Sequence, residues 1–147
     1  MEAIVTASSI LLGREVAVQT ISNTSSSIIS SVTKITENLN DEYIKIFEEL
    51  DINFKLNMIT DFLNTIKDIE KVSSTSHICI NYINTSLKEI DQTMSEINNM
   101  ISEGSNSWFG NTIASQTSSK HLNKLKLKVK IMDARFDMLI KLQERHF

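Results

Sequence analysis

The chain has 147 residues, 41% hydrophobic and 22% charged, with a formal net charge of −3. That length suits one domain with enough apolar mass for a core. With no proline and only Gly13, Gly104 and Gly110, it lacks the turn residues that a β-sandwich or small barrel needs. It also holds neither a phosphate-cradling loop nor a dinucleotide-binding glycine motif. A single cysteine, Cys79, leaves no disulfide framework and no cysteine-based zinc site. The mild negative charge gives no general pull toward nucleic acid or anionic membrane.

Apolar residues recur from the start of the chain at helical spacing. Ile4, Leu11, Val18, Val32 and Leu39 fall seven apart, and Ala7, Ile21, Ile28 and Ile35 follow three residues behind. Arg14 and Ser25 interrupt this heptad stripe. Serine, threonine and asparagine crowd residues 22–33, and all are weak helix formers. The segment 1–40 is therefore expected to be either a bundle helix, over about 3–38, or an extended arm.

Asn40 and Asp41 read as a cap, with Glu42 adding negative charge in the first turn. The stripe Phe47, Leu50, Phe54, Met58, Phe62, Ile66 and Ile69 then predicts one helix over 41–72. The run Ser73-Ser74-Thr75-Ser76 offers a break and a new cap. Next, Ile80, Ile83, Leu87, Ile90, Met94, Ile97 and Ile101 alternate gaps of three and four, predicting a helix over 75–103 with Gly104 as its left-handed cap. Residues 104–111 form the expected loop. Leu122, Leu125, Val129, Met132, Phe136 and Leu139 predict the last helix, over 112–145. The run Leu125-Lys126-Leu127-Lys128-Val129-Lys130-Ile131 also alternates with period two, a strand signature, but the longer heptad context favours helix.

Four helices of roughly 29 to 36 residues would each be about 43–54 Å long, more than the ~40 Å diameter of a compact chain this size. The expected fold is thus all-α: an elongated antiparallel helical bundle, or helical hairpins completed by other chains. Short connections at 39–41 and 72–75 are expected to join antiparallel neighbours.

Nothing in this pattern reads as catalysis. His77, His121 and His146 stand far apart, and none has Glu or His at i−3 or i−4, so neither a di-iron helix motif nor HExxH is present. The expectations are no enzyme, no cofactor and no metal. Charge is the more informative signal. Residues 37–103 carry thirteen acids against five lysines, a net of −8; residues 120–147 carry eight basic groups against three acids, a net of +5. This segregation suits acidic helices docked on a basic last helix, within or between chains. Lys120, Lys124, Lys126, Lys128 and Lys130 are candidate partner-binding residues; no stacking aromatics accompany them, which disfavours nucleic acid. Trp108 and Phe109, in the loop, are the other candidates: two aromatics that either plug the bundle end or anchor a partner surface.

Trp108-Phe109-Gly110 resembles the W-x-G turn of the helical-hairpin secretion substrates known as WXG100 proteins, which implies a secreted helical hairpin; this chain carries a long additional N-terminal stretch. A broader resemblance is carried by Asp41-Glu42-Tyr43-Ile44-Lys45-Ile46-Phe47, by the Trp108-Phe109 turn, and by Ile131-Met132-Asp133-Ala134-Arg135-Phe136-Asp137-Met138-Leu139-Ile140-Lys141. Together these look like small α-helical proteins of large DNA viruses. That likeness implies a structural protein, a minor capsid or scaffold component, with other subunits as partners in a homo- or hetero-oligomer, capsid proteins among them. It implies a location in the virion or host cytoplasm. Met1-Glu2-Ala3 lacks the basic start of a secretory signal, and the apolar stretch 3–12 is too short to span a membrane. A membrane-acting bundle that releases this first stretch into lipid is the remaining alternative.

Overall fold

Each apolar stripe needs a partner face, and the computed structural model shows how they meet. It describes residues 2–37, 41–67, 72–106 and 110–144, with side chains over 13–37, 42–67, 72–102 and 120–144. All five elements are helices: α1 Glu2–Glu37, α2 Asp41–Leu50, α3 Ile52–Ile66, α4 Ser74–Asn106 and α5 Gly110–Glu144. With α2 and α3 forming one leg, they make an all-α bundle of four rods, the longest about 50 Å.

The first segment is a helix, not an extended arm, and from Gly13 onward its stripe is part of the core. Val18, Ile21, Ile28, Val32 and Ile35 are buried, and so are Arg14 and Ser25, which interrupt the heptad. Arg14 is accommodated because its Nε donates to the Lys67 carbonyl at 3.0 Å. The serine- and threonine-rich stretch stays helical because its hydroxyls bond back along the helix instead of competing with it. Thr20 donates to the Val16 carbonyl (2.8 Å), Ser26 to Ser22 (3.1 Å), Thr33 to Ile29 (3.0 Å) and Thr36 to Val32 (2.7 Å).

The single helix expected over 41–72 is instead broken at Asp51. This residue is left-handed, with φ 51° and ψ 45°, a conformation that aspartate tolerates better than most residues. Its N–H still reaches the Phe47 carbonyl at 2.9 Å, and its own carbonyl accepts from Lys55 N–H at 3.1 Å. The kink resets the helical phase. Before it, Tyr43, Ile46 and Phe47 are buried; after it, Ile52, Leu56, Ile59, Leu63 and Ile66 are. Phe54 and Met58, expected in the core, are instead 58% and 47% exposed. Two stripes overlap in this segment, and the longer aliphatic one took the core. The cap expected at Asn40 and the stripe member Ile69 lie outside the described residues, and nothing is described of the Asp41 side chain.

Ser73 caps α4: its Oγ accepts from Ser76 N–H at 3.1 Å, and the His77 N–H reaches its carbonyl at 3.0 Å. Gln143 Nε2 donates to the fully buried Ser76 Oγ at 3.0 Å, tying the end of α5 to the start of α4. Gly104 does not end α4, which runs on to Asn106, and α5 begins at Gly110, so the interval is shorter than the loop expected over 104–111. Helical hydrogen bonding continues through Gly104 because no described glycine takes a positive φ.

The packing order around the bundle is α1, α4, α5, then α2–α3. Ser27 donates to Asp91 at 2.9 Å and Gly13 faces the His77 ring, so α1 and α4 run parallel. The α4–α5 pair is antiparallel. On the thin fourth seam, Lys55 bonds Asp133 at 2.7 Å and the Phe62 and Phe136 rings meet edge to face at 5.5 Å. Thus α3 and α4, joined by the short connection, are antiparallel but sit diagonally rather than as neighbours.

Two outcomes follow from this core. Ile90 and Ile97 are essentially fully buried, so Ile90→Asp or Ile97→Asp strands a charge and costs several kcal/mol; chemical denaturation should show loss of cooperative folding. Asp51→Gly should raise stability by up to about 1 kcal/mol by relieving the left-handed residue, and Asp51→Val should lower it. Unchanged urea midpoints for both Asp51 variants would contradict the assigned geometry.

Candidate interaction surface

Helical geometry splits the lysine run. Residues two apart on a helix point to nearly opposite sides, whereas those four apart share a face. Lys124 and Lys128 therefore form one row, turned toward α4. Lys128 Nζ lies 2.8 Å from Glu89 Oε2 and Lys124 Nζ 3.4 Å from Glu96 Oε2, with His121 Nδ1 3.3 Å from the same carboxylate oxygen. Lys126 and Lys130 form the opposite row and are exposed, as is Lys120. Among the described residues no carboxylate pairs with these three. Trp108 and Phe109 lie outside the described residues.

Between the two lysine rows lies an apolar row absent from the core stripe: Leu127, Ile131, Ala134 and Met138. Leu127 and Met138 are each more than half exposed. Its gaps of four, three and four repeat those of a coiled-coil seam. It continues onto α4 through the exposed Ile78 and Tyr82. The middle forms a shallow apolar groove of about 360 Å³, lined by Cys79, Tyr82, Ile131, Ala134, Arg135 and Met138. The sequence did carry this signal. The period-two run that reads as a strand puts Leu125 and Val129 on one side of a helix, and Leu127 and Ile131 on the other.

Arg135 fixes the groove's edge. Its Nη1 donates to the Tyr82 carbonyl at 2.7 Å and to Ser86 Oγ at 2.5 Å, and the guanidinium stacks over the Tyr82 ring at 5.1 Å. Below it, Cys79 Sγ donates to the Arg135 carbonyl at 3.1 Å. Burial pushes the Cys79 thiol up from its ordinary range, and the Arg135 charge offsets this only in part. Among the described residues no group of three or more His, Cys, Asp or Glu could hold a metal, and no helix is long and apolar enough to cross a membrane. The geometry leaves an exposed apolar row with cationic edges.

Because its thiol is raised and buried, Cys79 should react with an alkylating reagent more slowly than a free thiol at the same pH, speeding up only on unfolding. The folded state favours the neutral thiol, so its contribution to stability is complete below the unfolded pKa and is lost as pH rises toward the folded one. Alkylation rates across alkaline pH check this; a native rate equal to that of the denatured chain would contradict it. Comparison with family models, with curated proteins and with solved structures found no match for this chain.

Proposed function

We propose that the chain is a non-enzymatic structural protein that works by packing its helices against other protein subunits, as a minor capsid or scaffold component of a large DNA virus. The observation that carries the interaction reading is the second apolar row of α5, Leu127, Ile131, Ala134 and Met138, left outside a bundle whose own core is already filled. A row of this regularity, edged by Lys126 and Lys130, suits a partner helix better than water. Nucleic acid is the weaker reading, since Lys124 and Lys128 are taken up by Glu96 and Glu89 and, among the described residues, no aromatic stacks beside the remaining lysines. The viral reading rests on the resemblance carried by residues 41–47, 108–109 and 131–141.

Light scattering on the chain expressed alone tests the interaction reading. Particles heavier than the 16.7 kDa monomer are expected. Met138→Lys should reduce their mass while leaving helicity and melting unchanged, because Met138 lies on the surface. A monodisperse monomer that binds no hydrophobic dye would overturn the reading.

A further inference from the structure

We infer that α5 packs against α5 of a second copy of this chain, antiparallel, about a two-fold axis passing between Ile131 and Ala134. This rests on the interaction reading above and names its partner. The exposed row reads as the alternating core positions of a heptad: Leu127, Ile131, Ala134, Met138. Laid antiparallel on itself about that axis, it places Ile131 against the partner's Ala134 and Leu127 against the partner's Met138. Large residues thus meet smaller or more adaptable ones at each layer. A two-fold contact of this kind is made twice, and it closes without leaving a free end.

The charges at one edge of the row agree with this register. Lys130 and Asp137 occupy the same flanking position one heptad apart, and both are exposed. In the antiparallel pair, Lys130 faces the partner's Asp137, and the symmetry repeats that ion pair on the other side of the axis. Among the described residues, Lys130 and Asp137 make no ion pair within their own chain. On the other edge Lys128 would face the partner's Arg135, but there Lys128 is already bound to Glu89, and Arg135 to Tyr82 and Ser86. The cationic edge is thus neutralised or held back by α4, and the acid-base edge is left open. Ile78 and Tyr82 extend the apolar floor on α4. The row spans about 16 Å and offers on the order of 500 Å² per copy, the lower end of what specific association needs. The pair should therefore form reversibly, as a function of concentration.

Analytical ultracentrifugation over a concentration series tests this with Lys130→Asp, Asp137→Lys and the double variant. The native chain should show a monomer–dimer equilibrium. Each single variant turns two attractions into two repulsions and should weaken it about tenfold or more. The double variant restores opposite charges across the axis and should recover most of the affinity, with melting unchanged in all three. Single variants that dimerise like the native chain, or a double variant no better than either single, would overturn the two-fold. Larger assembly that ignores all three variants would overturn this pairing and leave the interaction reading standing. A monomer that still binds a hydrophobic dye overturns the two-fold alone; a monomer that binds none overturns both.

Discussion

The antiparallel seam between α4 and α5 governs the rest of the molecule. Ile80, Ile83, Leu87, Ile90, Met94 and Ile97 from one side, and Leu122, Leu125, Val129, Met132 and Leu139 from the other, bury one face of each helix. Polar contacts fix the register of that seam at four levels: Gln143 on Ser76, Arg135 on Tyr82 and Ser86, Lys128 on Glu89, and Lys124 on Glu96. Apolar burial supplies the affinity, while these directional pairs choose one alignment among the sliding alternatives that two regular stripes would permit. Once α5 is held this way, its remaining apolar residues have no choice but to face outward.

That constraint links a structural detail to a surface property. Regular heptad stripes bury one side of a helix, and the period-two lysine run places apolar groups on both sides. The core can absorb only one of the two sets. Leu125 and Val129 were taken inward, so Leu127 and Ile131 stand between two rows of ammonium groups. The long methylene stems of Lys126 and Lys130 border this row, and stems of this kind shield apolar surface while the charged heads remain in water.

Much of the fold was legible because α4 carries one dominant stripe, with gaps of three and four and few competing apolar positions, and the core stripe of α5 keeps the same gaps. The less regular N-terminal half was harder to read. Arg14 and Ser25 looked like defects in a seam, yet both are buried in it, Arg14 with a backbone carbonyl at its Nε. In α3 two stripes overlap, and the choice between them turned on Asp51, whose left-handed conformation no local composition announces. Hence Phe54 and Met58 have the spacing of core residues and are nevertheless exposed. The candidate surface was half visible: the lysines were evident, but their division into two rows, and the apolar row between them, need the helix phase that α4 imposes. The aromatic pair Trp108 and Phe109 is not among the described residues.

The diagonal placement of α3 and α4 makes the molecule two antiparallel hairpins, α1 with α2–α3 and α4 with α5, laid side by side through the parallel α1–α4 contact. Each hairpin closes through contacts near in sequence, and only their docking brings distant parts of the chain together. Local closure is fast and remote docking slower, so the topology sets an order of assembly: two short-range closures, then one long-range docking along α1 and α4.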